Sequence, residues 1–133
     1  MTTDGPLIMV VDDDPSMGQA LRRLLTAAGF RVRVFDSAQA LRARESTEEP
    51  DCLVLDIELP GQDGVALYAS LPAGRRPPAV FISAHDARTA RRRAMEAGAC
   101  AFMAKPFDGA VFLDAITAAI DTGRRDRPPT VGR

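Results

Sequence analysis

The chain has 133 residues, enough for one domain and too few for a second of ordinary size. Its 17 basic and 18 acidic residues nearly cancel, and a formal net charge of −1 excludes the overall basic signature of a nucleic-acid-binding protein. Apolar residues make up 46% but occur in runs too short to span a membrane, and the polar start Met1 to Pro6 lacks the pattern of a signal peptide, so a cytoplasmic protein is expected.

In chain order, Leu7 to Val11 is a continuous apolar run that predicts a strand buried on both faces. Asp14 and Pro15 read as the cap and first turn of a helix, with Met17, Leu21, Leu24, Leu25 and Ala28 at helical spacing up to Gly29. Arg31 to Phe35 alternates as a short strand, and Ser37 caps a helix through about Arg44. Cys52 to Leu55 is a second buried strand that runs into Asp56. Asp63 caps a helix from Gly64 to Leu71, and a loop rich in Pro, Gly and Arg leads to a strand from Ala79 to Ile82. Asp86 opens a helix that Gly98 ends, and Ala101 to Ala104 is a short strand. Asp108 caps the last helix, predicted to stop at Gly123. Five strands alternating with five helices imply an α/β fold, a parallel sheet with helices on both faces. The domain is expected over residues 6–122, with 123–133 a disordered tail or the start of a linker.

Cys52 and Cys100 have no CxxC spacing and no histidine beside them, and read as small buried hydrophobes. Lys105 is the one lysine among seventeen basic residues. An arginine-biased genome explains the rest. A compact ammonium on a thin stem does what a broad guanidinium fork cannot, so Lys105 is a candidate on composition alone.

Ligands of open parallel sheets bind beyond the carboxyl ends of the strands. Asp12, Asp13 and Asp14 follow the first strand, Asp56 the third, Ser83 the fourth and Lys105 the fifth. Carboxylates gathered at one edge repel unless a cation lies between them, and hard oxygen ligands of this kind suit Mg2+. A metal, a hydroxyl, an ammonium and a nucleophilic carboxylate are the parts of phosphoryl transfer through an aspartyl phosphate. Asp14 fits a plain helix cap, and Ser83 alone would be an ordinary strand-end serine. Asp56 has no such structural excuse, because a carboxylate that follows a buried strand must find partners.

Val10-Val11-Asp12-Asp13, Leu53-Val54-Leu55-Asp56, Pro60 with Asp63-Gly64, Ile82-Ser83-Ala84 and Lys105-Pro106-Phe107 together resemble the receiver domain of two-component response regulators. The resemblance covers about residues 6 to 122 and is nearest to the nitrogen-fixation and nitrate-response group. It implies a flavodoxin-like sheet in the order 2-1-3-4-5. It implies that Asp56 accepts a phosphoryl group from a histidine kinase or phosphotransfer protein. Asp13 and Asp56 would bind Mg2+ directly, with the backbone carbonyl of Glu58, and Asp12 through an intervening water. Ser83 and Lys105 would bind the phosphoryl group, Phe102 would hold the aromatic switch position, and the Lys105–Pro106 bond would be cis. Receivers of this group usually precede a helix-turn-helix output domain, and the sequence leaves open whether one follows.

Glu58 and His85 belong to this sequence rather than to the family pattern. Each stands two residues after a key group, Asp56 or Ser83, and the two are expected to flank the path of water to a phosphoaspartate, to tune its lifetime and to contact each other. On the last helix, Val111, Ala115, Ala118 and Thr122 form a strip of small residues off the core arc of Phe112, Leu113, Ile116, Ala119 and Ile120. In receivers, the face made by the fourth helix, fifth strand and fifth helix handles partners, which suggests a phosphorylation-favoured homodimer. Arg88, Arg91 and Arg92 share a face of the fourth helix, as a solvated face or a contact for a partner's acids. Two rivals remain at this point. A phosphatase of the haloacid-dehalogenase type would use Asp12 in an Asp12-x-Asp14 motif, and a receiver-like binding module would never be phosphorylated. A dinucleotide or P-loop protein is disfavoured, since neither glycine motif occurs.

Overall fold

The computed structural model describes residues 5–84 and 87–126, without the side chains of residues 87, 125 and 126. The expectations for His85, for Asp86 as a helix start and for the tail beyond residue 126 lie outside the described residues.

Five strands form one parallel sheet: β1 (Leu7–Val11), β2 (Arg31–Phe35), β3 (Cys52–Asp56), β4 (Ala79–Ser83) and β5 (Ala101–Ala104). Their order is β2-β1-β3-β4-β5, as the resemblance implied. Between and after them lie α1 (Pro15–Ala27), α2 (Ala38–Arg42), α3 (Gly64–Ala69), α4 (Ala87–Glu96) and α5 (Gly109–Asp126). The side-chain period of two sorts each central strand into two cores. Leu7, Met9, Val11, Leu53, Leu55 and Phe81 pack with α2, α3 and α4 residues such as Leu41, Leu67 and Ala94. Ile8, Val10, Val54, Val80 and Ile82 pack instead with Leu21 and Leu25 of α1 and with Phe112 and Ile116 of α5. Burial on both faces is why β1 has no polar residue and β3 and β4 have none of Asp, Glu, Ser, Thr, Asn, Gln, Lys, Arg or His before Asp56 and Ser83.

The caps fall where the sequence placed them. Asp14 accepts the Ser16 amide at 2.9 Å, Ser37 the Ala40 amide at 3.0 Å and Asp63 the Ala66 amide at 2.7 Å. Asp108 accepts the Ala110 amide at 2.8 Å. The Lys105–Pro106 bond is cis, as expected.

Three expectations are corrected. α5 continues through Gly123 to Asp126. A Cβ there would come within 3.0 Å of the Pro78 ring, so the missing side chain lets the helix pass close to Pro78 instead of stopping it. Cys100 is exposed, unlike Cys52: it lies just before edge strand β5 rather than within a central strand. The loop after α3 holds a 3-10 turn, Ala73–Arg75, and α2 and α3 are each about two residues shorter than expected.

Candidate functional site

β1 delivers Asp12, β3 Asp56, β4 Ser83 and β5 Lys105 to the carboxyl edge of the sheet. Asp12, Asp56 and Ser83 are the buried polar residues among the described positions, whereas Asp13 is exposed. The Lys105 Nζ donates to Asp12 Oδ2 at 2.9 Å and to Asp56 Oδ2 at 3.1 Å. One ammonium thus bridges two buried carboxylates. The remaining oxygen of each takes a backbone amide: Asp14 donates to Asp12 Oδ1 at 2.9 Å, and Glu58 donates to Asp56 Oδ1 at 3.0 Å.

Gly64 holds the first turn of α3 against this edge. Its amide donates to the Ile57 carbonyl at 2.9 Å, and a Cβ would come within 2.2 Å of the Asp56 carbonyl oxygen. Any side chain here would push α3 away from the strand end that carries Asp56. Across the loop, the Arg93 guanidinium of α4 pairs with Asp63 at 2.5 Å.

Burial pushes the Asp56 carboxyl up to about 6, opposed by the Lys105 hydrogen bond and reinforced by the Asp12 charge. Burial works against the Lys105 ammonium, but its bonds to Asp12 and Asp56 outweigh that and hold it above its ordinary value. The site carries more negative charge than one ammonium balances.

Asp12, Asp13 and Asp56 each offer a carboxylate oxygen within 4.8 Å of the others. Hard oxygens, a charge deficit and an exposed third member match what Mg2+ requires. Asp14 is outside this trio and is engaged as the α1 cap, which removes the second acid of the phosphatase motif.

Ser83 and Glu58 meet more closely than the sequence suggested. The Ser83 hydroxyl donates to Glu58 Oε2 at 2.5 Å, and the Ala84 amide donates to Glu58 Oε1 at 3.1 Å. The Ala84 amide was not foreseen, since a backbone donor has no side-chain signature. Phe102 is buried in the α4 side of the core, and the Arg91 guanidinium lies over its ring at 5.1 Å. Arg88, Arg91 and Arg92 are all exposed.

A twisted five-stranded parallel sheet with an acid trio and a lysine at its carboxyl edge defines a phosphoryl-handling α/β switch domain. The family model described as the response regulator receiver domain matches residues 8–117. The chain is 37% identical over 130 residues to the transcriptional regulatory protein FixJ of Bradyrhizobium diazoefficiens, covering 97% of this chain and 61% of that protein. It is 35% identical over 122 residues to nodulation protein W of the same organism, covering 91% and 54%. A receiver protein from Burkholderia phymatum superposes with a TM-score of 0.76 at 38% identity, over 87% of this chain and 95% of that one. The chain belongs to the response regulator receiver family, the phosphorylation-dependent switches of two-component signalling that receive phosphoryl groups from histidine kinases. It spans a little over half the length of the curated relatives it matches first. Among the described residues, no helix is long and apolar enough to cross a membrane.

Proposed function

We propose that Asp56 is the residue that accepts the phosphoryl group, with Lys105, Ser83 and the Ala84 amide receiving its oxygens. The observation that carries this is the ammonium shared by Asp12 and Asp56 at the strand ends, with Asp13 within reach. Asp13 and Asp56 would hold Mg2+ with the Glu58 carbonyl, and Asp12 would reach it through a water. The ion would supply positive charge to neutralise the transferring group. In the transfer, an Asp56 oxygen bonds to phosphorus while the bond to the kinase imidazole nitrogen breaks, and that nitrogen keeps the electron pair. Lys105 stands at the oxygen that gains a phosphoryl group and compensates its charge without reorganisation.

The readout would run from Ser83 through Phe102, the aromatic switch, to the surface of α4, β5 and α5. Val111 is 54% exposed there, beside exposed Ala118 and Thr122, and this strip would close against a second copy in a phosphorylation-favoured homodimer. Glu58 and His85 would set the phosphoryl lifetime, and dephosphorylation of Glu58→Ala and His85→Ala at altered rates is the expected sign. The central experiment is phosphotransfer from a histidine kinase of the same organism, with the product mapped by mass spectrometry. Phosphoryl on Asp56, absent in Asp56→Asn, is expected; phosphoryl on Asp12 would overturn the assignment. A rise in molecular size with beryllofluoride and Mg2+ is expected for the homodimer, and unchanged size would remove it.

A further inference from the structure

Ser83 is fully buried, and its hydroxyl donates to the Glu58 carboxylate at 2.5 Å. The hydroxyl is the donor and the carboxylate oxygen the acceptor. The other Glu58 oxygen takes the Ala84 amide at 3.1 Å. An anionic group with two oxygens therefore already sits on two adjacent donors at the end of β4. Those donors are next to Asp56. β3 and β4 are register neighbours, with Asp56 opposite Ile82, so Ser83 and Ala84 lie just beyond it on the adjoining strand. The Lys105 amide donates to the Ser83 carbonyl at 2.8 Å, which ties the β5 ammonium to the same corner. Lys105 serves Asp12 and Asp56, while the Ser83 and Ala84 donors serve Glu58. A phosphoryl group on Asp56 brings oxygens that need those same donors.

We propose that the Glu58 carboxylate is a built-in occupant of the phosphoryl seat, which holds the Ser83 hydroxyl and Ala84 amide in the unphosphorylated protein and must swing out before the activated state forms. This rests on the reading of Asp56 as the phosphoacceptor. It differs from a tuning of lifetime, because it acts before and during entry of the group. The sequence is suited to the arrangement. Glu58 lies two residues after Asp56 and its own amide is anchored on Asp56 Oδ1 at 3.0 Å, so the backbone stays fixed while the side chain exchanges positions. Expelling it breaks its bonds to Ser83 and Ala84, and an entering phosphoryl analogue must offset that loss. A small donor brings no docking surface to contribute to the expulsion. A kinase does. The device therefore favours the protein donor over small phosphorylated metabolites.

The test compares wild type, Glu58→Ala and Glu58→Gln, each checked for folding by circular dichroism. Amide NMR of the protein without Mg2+ reports the seat directly: the Ala84 resonance is expected to move in Glu58→Ala. Titration with beryllofluoride in the presence of Mg2+ is expected to show about tenfold or greater tightening in Glu58→Ala. Glu58→Gln keeps one acceptor without the charge and is expected to fall between. Phosphoramidate is expected to label Glu58→Ala faster than wild type by a similar factor, with a smaller gain when a kinase is the donor. Equal or weaker beryllofluoride binding in both variants, or an unmoved Ala84 resonance, would overturn the proposal while leaving Asp56 phosphorylation intact. Failure of all three proteins to bind beryllofluoride or accept phosphoryl at Asp56 would instead overturn the underlying reading and the proposal with it.

Discussion

At the amino edge of the sheet, Asp51 accepts the Leu7 amide at 2.8 Å and the Tyr68 hydroxyl donates to the Pro77 carbonyl at 2.7 Å. Arg76 there reaches the Leu71 and Ala69 carbonyls at 3.1 and 3.0 Å. At the carboxyl edge, Asp12 and Asp56 divide one ammonium, and the hydroxyl and amide at the end of β4 are held by a third carboxylate. Both edges place acids and a cation at the ends of strands. At the amino edge Asp51, Tyr68 and Arg76 each bond to the backbone, which fixes strand ends. The carboxyl edge makes anions compete for donors, which stores a charge deficit that only a cation and an entering group resolve. Acids bonded to backbone hold a fold together, and acids sharing a cation are set for chemistry.

The largest break in that contrast comes from Lys105→Met. Asp12 and Asp56 would remain buried without their ammonium, at a cost of about 3 kcal/mol at pH 8 with chelator present. Urea denaturation measures this, and added Mg2+ is expected to recover part of it. Next is Asp56→Asn, which should stabilise the metal-free protein. Asp56 has a native value of about 6 and an ordinary value of 3.8, so above pH 6 it is charged in both folded and unfolded states and the folded state bears the full penalty. As pH falls from 6 to 3.8 the folded state takes the proton first, and the penalty fades. Asp56→Asn is therefore expected to exceed wild type by on the order of 1–2 kcal/mol at pH 8, after discounting for solvent screening, with the gap closing below pH 6. Thermal melts across that range measure it, and Mg2+ should raise the midpoint of wild type alone.

The carboxyl edge was largely legible in the sequence because each member follows a strand whose apolar run is local and unmistakable. Lys105 stood out as the one lysine, and Asp14, Ser37, Asp63 and Asp108 were read as caps from their own neighbours. What was not legible involves distance across the fold. The Glu58 carboxylate reaches Ser83, 25 residues away, and no local pattern encodes which of two strand ends a flexible side chain will bridge. Gly123 carried the helix-stop signal that glycine usually gives, yet its role is set by Pro78 from another loop. Cys100 was placed inside by residue type, while its position just before an edge strand leaves it exposed. Local chemistry announces elements and their ends; contacts between ends require the register of the sheet.

At the amino edge the effects should be smaller and confined to stability. Asp51→Ala leaves the Leu7 amide, at the start of β1, without its carboxylate, and is expected to cost about 1 kcal/mol, measured by urea denaturation. Beryllofluoride affinity should not change, since the bond is a strand length away from Asp56. The smallest effect tests the carboxyl edge from outside. Arg93→Ala removes the pair with Asp63, whose partners are 43% and 33% exposed, so it should cost under about 0.5 kcal/mol. Asp63 is held below the ordinary carboxylate range although burial pushes the other way, because the Ala66 amide and then Arg93 outweigh it. The α3 cap bond to Ala66 survives the substitution, so α3 stays seated on Asp56 through Gly64. A stability loss of several kcal/mol in Arg93→Ala would mean that the α3–α4 pair, rather than the shared ammonium, sets the geometry around Asp56. Unchanged beryllofluoride binding in Arg93→Ala, beside its loss in Lys105→Met, would locate the control of the site in the charges buried at the strand ends.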